Sequence, residues 1–98
     1  MMQEVPKADA LIVNPTHFSV AILYDRDVMD APEVTAKGTD HMALRMRTVA
    51  RENSVPILER PELARDLYAN VEIGETIPER FYKTIAEILA FVYRLRRR

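Results

Sequence analysis

The sequence predicts an α/β fold, a small mixed sheet of about four short strands packed with about three to four helices. Three observations carry that expectation. Two apolar runs rich in β-branched and aromatic residues, 10–13 (ALIV) and 18–24 (FSVAILY), lie close together near the start. Beyond Gly38, apolar residues recur at helical spacing in three separate stretches. The 98 residues suffice for one domain and hardly two.

Taken in order, residues 1–7 (MMQEVPK) carry no usable periodicity, include Pro6, and read as a tail ahead of a single domain over 8–98. The runs 10–13 and 18–24 read as strands, and the polar stretch 25–32 (DRDVMDAP) as a loop. Residues 33–37 (EVTAK) suit a short third strand, stopped by Gly38. Met42, Met46, Val49 and Ala50 then mark one face of a helix, with Thr39 or Asp40 as its cap and Asn53 near its end. A fourth strand is expected over 55–58 (VPIL), where Pro56 points to an edge. Pro61 suits a first helical turn, and Leu63, Ala64, Leu67, Tyr68 and Val71 share a face behind it. Gly74 separates that helix from a last one opening at Pro78 and Glu79, with Phe81, Ile85, Ile88, Leu89, Val92 and Leu95 on its apolar side.

Composition removes several function classes. Fourteen basic against 15 acidic side chains give a net charge of −1, which disfavours binding to a phosphate backbone. With 0 Cys there is no disulfide, thiolate chemistry or Cys-ligated zinc. No apolar run approaches the roughly 20 residues of a membrane span, and no signal-peptide pattern opens the chain. The reading is a small soluble domain of a reducing compartment. Two glycines make no phosphate-cradling loop. His17 and His41 lie on different elements without a ligand-spaced partner, so no metal or cofactor is expected. Met42 and Met46 sit at core spacing. Arg94, Arg96, Arg97 and Arg98 read as cations at the negative end of a helix dipole, or else as a contact for an anionic membrane surface. Arg45, Arg47 and Arg51 read as the wet side of the first helix, and Asp25, Asp27, Asp30 and Glu33 as a solvated connection.

One segment offers specific chemistry. Asn14-Pro15 separates the first two strands, and Asn-Pro ordinarily marks a turn and nothing more. Attack of a following backbone nitrogen on an Asn amide is blocked here, because the nitrogen of Pro15 has no hydrogen. The reverse cyclisation stays open: the side-chain nitrogen of Asn14 attacks its own backbone carbonyl carbon and the Pro15 nitrogen departs. In a turn over residues 14–17, Pro15 takes its preferred second position and the His17 N–H reaches the Asn14 carbonyl. That donor would steady the developing oxyanion, an effect of about 3–4 kcal/mol in established cases. Proline at that position forces a turn type that splays a tight hairpin, or else demands positive φ at Thr16, so strain is expected. A histidine side chain titrates near neutrality, which suits His17 to carry a proton from the amide to the departing proline.

The motif Asn14-Pro15-Thr16-His17 resembles the self-cleavage motif of the FlhB/YscU family, substrate-specificity switch proteins of type III secretion. The resemblance extends to residues 5–25 (VPKADALIVNPTHFSVAILYD), 31–40 (APEVTAKGTD), 55–68 (VPILERPELARDLY) and 72–82 (EIGETIPERFY), in order along nearly the whole chain. Blocks such as EIGETIP look flagellar rather than injectisome. Glu62 departs from the family, which commonly has a second proline there, and this touches a helix start but not the cleavage chemistry. The resemblance implies the cytoplasmic C-terminal domain of a membrane-embedded flagellar export protein. Its membrane helices would lie upstream, and residues 1–7 would be the end of the linker from them. It implies cleavage between Asn14 as nucleophile and Pro15 as leaving group, tuned by Thr16 and His17, with the two pieces staying associated. It further implies a part in switching export from rod and hook subunits to filament subunits. The partners implied are other export-gate proteins, a hook-length ruler protein and exported flagellar subunits, on the cytoplasmic face of the inner membrane. Lys37 and Gly38 match a family pair whose plain role is strand end and turn. Two other readings compete: a non-cleaving protein-interaction domain, and a nucleic-acid-binding domain, the latter disfavoured by charge and by 7 aromatics with no strand platform.

Overall fold

A computed structural model describes residues 1–15 and 17–96. Strands β1 (Ala10–Asn14), β2 (Phe18–Leu23), β3 (Glu33–Thr39) and β4 (Ile57–Glu59) form one sheet in the order β3-β2-β1-β4. β2 runs antiparallel to both β1 and β3, whereas β4 runs parallel to β1, so the sheet is mixed as expected. Helices α1 (Asp40–Glu52), α2 (Pro61–Asn70) and α3 (Tyr82–Arg96) pack on it, with short 3₁₀ segments at Met2–Lys7 and Glu79–Phe81.

β1 is a central strand covered on both faces, which is why its sequence is a continuous apolar run and not an alternating one. Ala10 and Ile12 enter a core with Ala64 and Leu67 of α2 and Ile85, Leu89 and Val92 of α3. Leu11 and Val13 enter a second core with Met46 and Ala50 of α1. The result is three layers, helix on sheet on helices, with the β1–β2 turn at one end of the central strand.

Several expectations shift. Residues 1–7 are not an unpatterned tail: Met2–Lys7 winds into a 3₁₀ segment that buries Val5 completely in the second core. Its period of three, too short to repeat, leaves no helical or strand pattern to read. Gly38 does not stop β3. It pairs with Ser19 inside the ladder, and a Cβ there would lie 2.6 Å from Met42 Cγ, so the glycine permits a close helix approach instead of a turn. α1 buries Ala43, Met46 and Ala50, leaving Met42 38% exposed, because the helix face is centred one residue further on than the apolar spacing suggested. Its N-terminal Thr39 makes no side-chain capping bond. The fourth strand covers Ile57–Glu59 at the sheet edge, displaced from 55–58. Leu95 falls off the buried face of α3. Arg47 is half-buried rather than wet, and its Nε is enclosed without a hydrogen-bond partner among the described residues.

Candidate functional site

The β1–β2 ladder closes on the pair Asn14 and Phe18, leaving residues 15–17 to make the connection. The His17 N–H donates to the Asn14 carbonyl at 3.0 Å, spanning a four-residue turn with Pro15 second. The carbonyl of the Asn14-Pro15 bond therefore carries a fixed donor, aimed where negative charge would develop on attack. Thr16 lies outside the described residues.

Two other segments grip the turn. The side-chain nitrogen of Asn14 donates to the Pro61 carbonyl at 3.3 Å, where α2 begins. The Arg60 N–H donates to the Val13 carbonyl at 3.0 Å, tying the β4–α2 corner to the end of β1. On the far side, the Asp40 N–H donates to the His17 carbonyl at 3.1 Å, and the Asp40 carboxylate lies 4.0 Å from His17 Nδ1. Asn14 and Pro15 are half-buried, whereas the His17 ring is open to water. Of the four residues singled out in the sequence, the structure brings Asn14, Pro15 and His17 together.

Beneath the turn, the Phe18 ring meets Tyr68 of α2 with centroids 5.0 Å apart, tilted by 38°. The Lys37 ammonium stands 4.8 Å from the Tyr68 ring centre, donates to the Tyr68 carbonyl at 2.9 Å, and lies 3.6 Å from Glu72. Lys37 thus clamps the end of α2 to β3 instead of merely ending a strand. The sequence reading gave Asp40 only as a helix cap, Tyr68 as part of a helix face and Lys37 as a strand end, and it missed their contacts and that of the Pro61 carbonyl around the turn. A backbone carbonyl far along the chain leaves no residue signature, and only the aromatic character of Phe18 and Tyr68 hinted at a pairing.

Away from the turn, Asp9 is nearly buried and accepts from the Tyr24 N–H and from Arg96 Nη1, each at 2.8 Å. This gives Arg96 a partner more specific than a helix dipole; Arg97 and Arg98 lie outside the described residues. Burial first, and then the Asp9 carboxylate, raise the Tyr93 phenol above its ordinary pKa of 10.0. Beside this pair a groove of about 340 Å³ runs between the β2–β3 loop and α3, lined by Tyr24, Pro32, Tyr82, Leu89 and Tyr93. Among the described residues, no group of three or more His, Cys, Asp or Glu is placed to hold a metal ion, and no helix is long and apolar enough to cross a membrane.

Comparison with known proteins agrees with this picture. The model of the FlhB HrpN YscU SpaS family matches residues 1–92. Flagellar biosynthetic protein FlhB of Bacillus subtilis is 53% identical over 98 residues, covering 100% of this chain and 27% of that protein. The Escherichia coli protein of the same name is 54% identical over 97 residues, covering 99% of this chain and 25% of that protein. The chain therefore spans about a quarter of the length of these curated relatives. Among solved structures, the cytoplasmic domain of FlhB from Shewanella putrefaciens superposes with a TM-score of 0.92 at 43% identity, over 97% of this chain and 73% of that one. A mutated EscU C-terminal domain superposes with a TM-score of 0.90 at 27% identity, over 93% of this chain and 91% of that one. On the family match and the shared fold together, the chain belongs to the FlhB HrpN YscU SpaS family.

Proposed function

We propose that this chain is the cytoplasmic, self-cleaving switch region of a flagellar type III export component, that it breaks its own Asn14–Pro15 bond, and that the break takes part in changing export from rod and hook subunits to filament subunits. The observation that carries the reading is the His17 N–H held 3.0 Å from the Asn14 carbonyl oxygen, within an Asn-Pro turn. The Asn14 side-chain nitrogen bonds to the Asn14 carbonyl carbon, the oxyanion is steadied by the His17 N–H, and the bond to the Pro15 nitrogen breaks. One proton leaves the side-chain nitrogen and one arrives on the proline nitrogen, with His17 as carrier. Water then opens the succinimide to Asn or its isomer. Each chain turns over once, so this is no enzyme in the multiple-turnover sense, and the chemistry needs no cofactor.

Burial favours retention of the 1–14 piece after the break. Leu11, Ile12 and Val13 are each at most 1% exposed, and each such side chain contributes about 1.5–3 kcal/mol. The Asp9–Arg96 contact also links the two pieces. In this reading residues 1–7 end the linker from membrane helices upstream and dock through Val5 on the switch domain of residues 8–98, which lies on the cytoplasmic face of the inner membrane. Export-gate proteins, a hook-length ruler and exported subunits are its partners, and the apolar groove beside Tyr82 and Leu89 is a surface of the kind a partner covers.

Intact-mass measurement of the denatured chain beside Asn14→Ala tests the reading. Two fragments parted after Asn14, absent in the variant, support it. A single mass persisting for days at neutral and mildly alkaline pH leaves a non-cleaving interaction domain.

A further inference from the structure

Among the described residues, two besides glycine have positive φ, Asp40 at 50° and Ser54 at 58°. Ser54 follows the last turn of α1, where a left-handed residue commonly ends a helix. Asp40 stands at the opposite end of the same helix, where no capping motif asks for that conformation. Left-handed backbone at a non-glycine residue is costly, and such residues gather at functional sites.

The conformation at Asp40 ties its backbone to one neighbour and sets its carboxylate beside the ring of that same residue. Its N–H donates to the His17 carbonyl at 3.1 Å, and its carboxylate oxygen lies 4.0 Å from Nδ1 of the same histidine. Among the described residues, Asp40 is the sole ion-pair partner of His17. We propose that Asp40 is a positioning residue for self-cleavage: it holds the His17 imidazole with its Nδ1 hydrogen toward the carboxylate, which leaves the Nε2 lone pair free. The inference rests on the self-cleavage reading. In the reaction, the Asn14 amide leaves the Pro61 carbonyl and turns to its own carbonyl carbon, and Nε2 takes a proton from its nitrogen as the new bond forms. It returns the proton to the Pro15 nitrogen as the peptide bond breaks, so His17 ends as it began. The carboxylate acts through the imidazole, orienting it and selecting its tautomer, the service a carboxylate performs for histidine in other proton-transfer sites.

Glycine separates this role from a structural one, because it accepts φ 50 without strain. Cleavage is timed on freshly translated full-length chain for the wild type, D40G and D40N, with melting temperatures measured on the same variants. The His17 ring tautomer is read by nitrogen-15 NMR in N14A and N14A/D40G, at a pH where the imidazole is neutral. Removing an exposed carboxylate partner is expected to slow cleavage about two- to fivefold in D40G, with D40N between it and the wild type. The melting temperature of D40G should be unchanged or higher, and the tautomer should move from Nδ1–H toward Nε2–H. A folded D40G that cleaves at the wild-type rate or faster overturns the proposal. So does an unchanged tautomer, or a slowing that merely tracks a lower melting temperature. A wild-type chain that stays intact removes self-cleavage itself, an outcome distinct from all of these.

Discussion

The side-chain nitrogen of Asn14 reaches the carbonyl of Pro61, 47 residues further along, at 3.3 Å. The residue at the end of β1 is thereby held by the residue that opens α2, and the β1–β2 turn is braced from outside the hairpin. Asn14→Ala should abolish two-fragment formation while keeping the fold, since the lost bond is a neutral one at a partly exposed position, worth about 1 kcal/mol or less. Intact mass and a urea melt on the same sample check both halves.

Gly38 is a packing residue. A methyl at this position would meet Met42 Cγ at 2.6 Å, Met42 Cβ at 3.0 Å and Met46 Sδ at 3.1 Å. Gly38→Ala should destabilise the domain by about 1–3 kcal/mol through overpacking. Adding Met42→Ala should recover part of that loss. Denaturant midpoints of the single and double variants give the comparison.

Asp9 and Arg96 join the segment before β1 to the end of α3 at 2.8 Å, with the carboxylate nearly enclosed. Asp9→Ala leaves the Tyr24 N–H without its acceptor, and an unpaired group of that kind costs about 1–3 kcal/mol. In a cleaved chain the same change should hasten loss of the 1–14 piece on gel filtration under mild denaturant, whereas retention at the wild-type level would assign the holding force to β1 alone.

Tyr93 sets an alkaline limit. Its folded pKa is raised above 10.0, by burial first and by Asp9 second. The folded state therefore keeps the phenolic proton longer than the unfolded chain does. The contribution to stability is complete below the unfolded pKa of about 10 and is lost as the pH rises through the folded value. Tyr93→Phe should flatten the fall in melting temperature above that range. Equal slopes in both proteins would place the alkaline transition elsewhere.

Much of the fold was legible because its signals are local. The run 10–13 reads as a buried strand whatever lies around it, and Ile85, Ile88, Leu89 and Val92 repeat at helical spacing before any partner is known. The Asn14 to His17 hydrogen bond belongs to the same class, since a four-residue turn with Pro15 second brings that donor to that carbonyl by backbone geometry alone. Local signals failed where the period was too short or the reason lay across space. Val5 is buried by a 3₁₀ segment that leaves no pattern, and Gly38 looked like a strand end because the methionines requiring its bare Cα come from the following helix.

The α/β class, the turn at Asn14-Pro15 and the bond in it that Asn14 is chemically able to break by cyclising are all readable along the chain, because each depends on residues within a few positions of one another. What surrounds that bond comes from packing between distant elements. The Pro61 carbonyl on the Asn14 amide, Asp40 against His17, and Tyr68 between Phe18 and Lys37 are all contacts between separate elements. Such contacts exist only once the two cores have packed α1 and α2 on opposite faces of the sheet, and no spacing along the chain encodes them.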